Sequence, residues 1–477
     1  MNRRRFLTHT SLLGGAGMLG ACAHGPDSAS TSVSSAKTIA VSGSASAPEF
    51  FGRFPAETEF ESVVPTVRIA SGRIIHRFFD TSPISPSGRY VGLFRLPNEN
   101  RPPQPGQTGE VVLVDLQTGE ERVIAQTRGW ETQMGANVQW GNSDTELYYN
   151  DVDTTTWRPF AVQHNVLTGA TRQLEGTVFT VSPDGKHLAS YNLISSRLIQ
   201  VGYGVVVPRE KTPRNVGPVD NDGIFITDVA TGRQRLIVSI RDIYEKAQPR
   251  LTIANPERYE FYCFQVRWNP AGTRLMAFLR WSEAEEGTAP RARTGKRLLT
   301  LVTFKPDGSD IRVAVSPERY ARGGHHPMWA PDNETITINL NLRDGAGLEL
   351  VQVRYDGTDL RSIAPYGSGH PSRHRTLPFV ITDAYPAEPV TRGDGSAPLR
   401  LIDLRDRSEI ALAQVLLTRQ TPEKLSSEFR IDAHPVWDRT GRYVVFNGVH
   451  NNTRSVYVAD LGAWLKAKSG NAETRKS

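Results

Sequence analysis

The sequence predicts an all-β protein, a β-propeller of seven four-stranded blades, with six or eight blades as the alternatives. Three observations predict it. One phrase recurs: an aromatic or apolar residue, a small or polar residue, a turn built on Asp or Ser with Gly and a basic residue, then a β-rich run. Each phrase is followed by a second hairpin closed by a tight turn of the D-x-x-T/D-G kind. Helical periodicity is nearly absent between residues 60 and 465.

In order, the phrases are "ISPSGRYVGLF" (84–94), "WGNSDTELYYN" (140–150), "VSPDGKHLASY" (181–191), "WNPAGTRLMAF" (268–278), "WAPDNETITIN" (329–339), a degenerate "RHRTLPFVITD" (373–383) and "WDRTGRYVVFN" (437–447). They recur every ~40–60 residues, apart from a longer interval between 181 and 268, the period of a unit that buries its faces only by stacking on its neighbours. "VYVADL" (456–461) reads as a late strand of the last blade. "VVPTVRIAS" (63–71) is positioned to close that blade from the N-terminal side.

The ends carry other signals. "MNRRRFLTHTSLLGGAGMLGAC" joins a twin-arginine pattern, Arg3-Arg4-x-Phe6-Leu7, to a short apolar stretch and a lipoprotein box ending in Cys22. We therefore expect a signal peptide over residues 1–21, a flexible tether over 22–57 from lipidated Cys22, the propeller over 58–465 and a polar tail over 466–477. Export by the twin-arginine route to the periplasmic face or the cell surface follows, with membrane contact through the lipid alone. Cys263 is the only other cysteine, which excludes a cysteine-rich zinc site. The net charge is +6, and Arg3, Arg4 and Arg5 lie within the signal peptide. No basic run interleaves with aromatics, so nucleic acid is not an expected partner.

Histidines carry the functional signal. The residue three positions before the Trp-like position of each phrase is, in blade order, Thr81, Asn137, Val178, Gln265, His326, His370 and His434. Equivalent positions of successive blades lie side by side around the propeller axis. Three neighbouring blades thus aim imidazoles into one sector of the channel, with Gln265 adjoining. Each histidine precedes a proline, which removes a backbone donor and stiffens the entrance to the strand. Converging neutral imidazoles suit a divalent transition metal such as Mn, Zn or Fe. His325 is expected to face away from His326 as a supporting or substrate contact. His164, His187 and His374 do not share the register and read as surface residues.

"HHPMW", "SGHPS", "DAHPVW" and "IIHRFFDTSPISPSGR" together resemble the oligogalacturonate lyase family, and the repeats resemble TolB-like (PD40, WD40-like) propellers. The lyase resemblance implies a manganese-type ion, with Zn, Ca or Fe as alternatives, held by His326, His370 and His434. It places His76 and Arg77 at the entry to the first blade. It implies a carbon–oxygen lyase that takes uronic-acid oligosaccharides, oligogalacturonate or an ulvan-type glycan, through β-elimination with an arginine base. Arg280 and Arg297 lie in the blade where that arginine belongs. His76, Tyr203 and Tyr385 are alternative bases, and the tyrosines with His325 are candidate substrate contacts. The chain departs from the family at Asp432, where the family carries a further histidine. No Gly-x-Ser-x-Gly elbow appears, which excludes propeller-linked serine hydrolases. The competing class is a non-catalytic TolB-like envelope propeller that binds protein or glycan.

Overall fold

Each recurring phrase lies in one four-stranded antiparallel sheet, and the computed structural model contains seven such sheets among its described residues. Those residues are 49–473, apart from 58, 201, 285–296, 346 and 422–425. The signal peptide, Cys22 and most of the expected tether lie outside them. No described helix is long and apolar enough to cross a membrane.

Blades one to six are each four consecutive strands, the first running from Ile74–Ile75 to Glu121–Thr127 and the sixth from Ser372–Arg373 to Glu409–Leu416. The seventh combines Val436–Trp437, Tyr443–His450 and Thr453–Asp460 with the N-terminal strand Thr66–Ser71, which pairs antiparallel with Thr453–Asp460. The ring is thus closed by strands from both ends of the chain, as the 63–71 segment led us to expect.

The repeated tryptophan has a physical task. In three of the four copies its indole N–H donates to a backbone carbonyl of the preceding blade, Trp140 to Pro83 at 2.8 Å, Trp329 to Arg267 at 3.1 Å and Trp437 to Ser372 at 3.2 Å, while that of Trp268 is buried without a partner. The glycine of the repeat turn holds a positive φ that side chains disfavour: +80° at Gly88, +72° at Gly185, +70° at Gly272 and +74° at Gly441. Buried apolar residues of facing blades fill the space between sheets, as where Phe446 and Tyr457 of blade seven meet Ile381, Leu399 and Val415 of blade six.

The end of the expected tether, from Glu49, is part of the folded body, and a helix runs from the expected propeller into the expected tail. Glu49–Arg53 forms a short 3-10 helix with Phe51 buried, and Phe50 meets the Tyr443 ring edge-on at 5.4 Å. At the other end, the helix Gly462–Glu473 places Trp464 against Phe379 at 5.3 Å. Apolar aromatics at both ends explain why these segments dock.

Candidate metal centre

The histidines converge because their blades share one backbone device. Asn137, Gln265, His326 and His434 all adopt left-handed φ values between 48° and 56°, a region where Asn and His are enriched among non-glycine residues. In blades four and five this residue lies in a break of the strand register, between Phe264 and Arg267 and between His325 and Met328. Such a bulge re-aims a side chain away from the alternation of the strand. In blade six the left-handed position falls on Gly369, one residue before His370.

The rings of His326 and His370 stack at 3.9 Å, and those of His370 and His434 meet edge-on at 4.3 Å. His370, Asp432 and His434 are all buried, and each brings a ligand-type atom within 4.8 Å of the others'. Asp432 therefore stands in this group where the resemblance had expected a histidine. His326 is adjacent. Its Nδ1 lies 2.7 Å from the carbonyl of Gly369, so that nitrogen carries the proton and Nε2 is the acceptor.

Asp383, which sequence reasoning missed, organises the group. It follows the strand Phe379–Thr382 and accepts the His370 backbone N–H at 2.6 Å, its Nδ1–H at 3.0 Å and the His434 backbone N–H at 3.2 Å. A carboxylate on Nδ1 fixes the tautomer and presents Nε2. That Nε2 and both ring nitrogens of His434 are buried without a hydrogen-bond partner. Orphaned polar atoms of this kind need an explanation, and a cation between imidazoles and a carboxylate supplies one. The donor set of two imidazole nitrogens and a carboxylate suits a divalent first-row metal.

Electrostatics keep the imidazoles ligand-competent. Burial lowers the pKa of His434 and His326 well below the ordinary value, reinforced in both by the nearby His370. Burial brings His325 to about 3 and His76 to about 4. His325 does not face away from its neighbour as expected. Its Nδ1 is 2.8 Å from that of His326 and 3.3 Å from the Asn339 amide.

The remaining candidates separate into groups. Tyr385 lies against the cluster, its ring 5.9 Å from His370 and 6.1 Å from His325. The Tyr203 hydroxyl is 3.1 Å from Arg430, which in turn donates to Asp432 at 2.8 Å. Burial opposes the Arg430 charge, but Asp432, Tyr203 and Tyr385 outweigh it and raise its pKa. Arg430, Asp432 and His434 alternate in "RIDAHP", a signal that was available in the sequence. Arg280 is buried with its guanidinium 3.9 Å over Phe264, and both it and Arg297 donate to Gln200. Burial, then the charge of Arg297, lowers Arg280 to about 10. Phe264 packs on Tyr203 at 5.2 Å and so links this arginine pair to the histidine side.

Other residues are committed elsewhere. Arg77 donates to Asn137, Asp80, Thr81 and the carbonyl of Phe179, which leaves it a bracing role between blades. The Gln265 side-chain oxygen accepts from Arg267 at 3.2 Å. His76 is buried, its ring 6.4 Å from that of His434. His164 and His374 are buried too, contrary to the surface expectation. His374 accepts two backbone N–H bonds and packs on Trp437 at 4.8 Å, a structural use.

A cavity of about 690 Å³ abuts the cluster, lined by Tyr385, Arg430 and Asp432 together with Leu417, Thr418, Phe429 and other residues. On the inner side Phe78 and Phe79, both buried, cap the histidines. Phe78 meets His434 at 4.6 Å, and Phe79 meets His370 at 5.3 Å.

No protein-family model matches the sequence, and no curated protein matches it. Solved structures do. An oligogalacturonate lyase in complex with manganese superposes with a TM-score of 0.56 at 13% identity, covering 86% of this chain and 97% of that one. An oligogalacturonate lyase from Vibrio parahaemolyticus gives 0.55 at 12% identity, covering 86% and 98%. The fold is shared with these lyases. A TolB from Acinetobacter baumannii gives a TM-score of 0.36 at 10% identity, covering 79% and 83%, too distant to carry an argument.

Proposed function

We propose that the protein is an exported, lipid-anchored, metal-dependent lyase that cleaves uronic-acid-containing oligosaccharides by β-elimination. One observation carries the reading: the unpartnered nitrogens of His370 and His434 meet Asp432 beside a cavity lined by a half-buried cation, Arg430. The manganese complex of a lyase with the same fold supports it.

β-Elimination requires the C5 proton of a uronate to become acidic, and this happens when charge on the adjacent carboxylate is neutralised. His370, Asp432 and His434 would hold a divalent ion, manganese being the first choice, and the ion would supply Lewis acidity to that carboxylate. Arg430, kept charged by Asp432, supplies a fixed positive charge at the cavity wall. Arg280 is the base candidate that its environment favours. Burial and the neighbouring Arg297 make its proton easier to lose, the direction a general base requires. The tyrosines fit the opposite task. Burial raises the pKa of both Tyr203 and Tyr385, so each stays protonated and can hydrogen-bond through its O–H to the leaving oxygen.

The test is a screen of acidic oligosaccharides for the absorbance of a 4,5-unsaturated uronate, with manganese and with chelator. Manganese-dependent absorbance with any uronate-containing substrate supports the proposal. Metal binding without product from any substrate overturns the lyase assignment.

A further inference from the structure

A second cavity, of about 390 Å³, shares no lining residue with the first. Its walls include the repeat tryptophans Trp140, Trp329 and Trp437, whose indoles are tied to neighbouring blades, so its shape is part of the fold. Four arginines from three blades line it: Arg267, Arg373, Arg375 and Arg439. Phe78 and Phe79 lie between this chamber and the histidines. The Arg267 guanidinium is 5.4 and 5.3 Å from their rings, which also touch the imidazoles.

The arginines carry spare donors. Arg267 is 3% exposed and gives Nε to Asp80 at 2.6 Å and Nη2 to Gln265 at 3.2 Å, while Nη1 is buried without a partner. Arg373 makes one long contact, 3.5 Å to Thr337, and its Nε has no partner. Arg439 donates Nη2 to the carbonyl of Gly141 at 2.8 Å, again with an unpartnered Nε. Arg375 is exposed at the rim.

Carboxylates do not balance them. Asp80, the lining carboxylate, is shared between Arg77 and Arg267. Asp332 lies near Arg373 but is engaged by Thr335 and Glu334, and Asp144 lies near Arg439 but is engaged by Ser87. Rigid walls lined by four incompletely neutralised guanidinium groups form a receptor for planar or tetrahedral oxyanions, which accept several N–H bonds at once.

We propose that this chamber binds a compact oxyanion with two negative charges, a phosphate or sulfate group, either free or carried by a saccharide. A singly charged ion would leave the arginines under-neutralised, and a volume of about 390 Å³ admits a group or one sugar, not a polymer strand. The site does not depend on the lyase reading, because it touches none of the histidines.

The experiment is calorimetric titration of the full chain with inorganic phosphate, inorganic sulfate and a monosaccharide sulfate, against a chloride background. Wild type is expected to bind one equivalent. Arg373→Gln and the rim variant Arg375→Gln should each weaken binding tenfold or more, with melting temperatures of the anion-free variants close to wild type. Tighter binding of the saccharide sulfate identifies a glycan substituent as the source, and tighter binding of the inorganic ions identifies the free anion. Arg209→Gln, an exposed arginine that lines neither cavity, should leave the affinity unchanged. Three results overturn the proposal: no saturable binding of any probe, binding untouched by both arginine variants, or binding equally weakened in Arg209→Gln.

Discussion

Replacing Asp383 with Asn removes one charge and almost no volume, and the account predicts a large consequence. The two carboxylate oxygens accept the backbone N–H groups of His370 and His434, and the His370 ring N–H as well. An amide offers one acceptor oxygen. Whichever way it turns, its NH2 faces a donor, so at least one buried N–H loses its acceptor at a cost of about 1–3 kcal/mol. If the NH2 faces His370, the proton of that ring moves to Nε2, the nitrogen needed for a metal. Loss of such a supporting carboxylate typically weakens a metal site about 10–100-fold, equivalent to about 1.4–2.7 kcal/mol. Manganese titration of chelator-treated protein, paired with urea unfolding, measures both effects. Affinity equal to wild type in a folded Asp383→Asn variant would refute the argument that this carboxylate sets the tautomer.

Further outcomes follow from the same geometry. Asp432→Asn should lower manganese affinity at least tenfold and free Arg430, while Asp432→His, which restores the residue type of the resembling family, should retain binding; competition with a fluorescent chelator reads both. For His76, burial places the folded pKa at about 4, below the ordinary 6.5. The unfolded chain alone takes up this proton between those values, so the stability is present above pH 6.5 and lost as pH falls towards 4, by on the order of 3 kcal/mol. Metal-free His76→Asn should show a flatter stability profile over that window in urea titrations at stepped pH. Cys22→Ser should release the protein from membranes with an unchanged fold, and retention of the variant in the membrane fraction would contradict the lipid anchor.

The propeller was legible because its signals are local. The tryptophan recurs in four of the seven phrases and the positive-φ turn glycine in four, which is enough to mark the period. The convergence of His326, His370 and His434 was legible for the same reason, since equivalent repeat positions face one axis. Asp383 was passed over although the repeat marks it: it closes its phrase where Asn150, Asn339 and Asn447 close theirs, and Asn150 and Asn447 likewise accept a backbone N–H of the next blade, from Val178 and His76. It reaches His370 by folding back through a hairpin and His434 across a blade boundary. Asp432 looked like the loss of a ligand, although a carboxylate is itself a donor. Gln265 keeps the register of the histidines, yet Arg267, two residues on, captures its side-chain oxygen. His164 and His374 fall outside the register and were assigned to the surface, but burial between blades depends on packing that spacing does not report.

The most direct test of the central claim is the metal content of the purified chain. Wild-type protein incubated with Mn, Zn, Ca or Fe and then desalted is analysed by elemental mass spectrometry beside His370→Ala and His434→Ala. The account predicts one divalent ion per wild-type chain, with manganese retained, and a loss in both variants while His164→Ala keeps the wild-type content. Wild-type protein that emerges metal-free from all four incubations would contradict it.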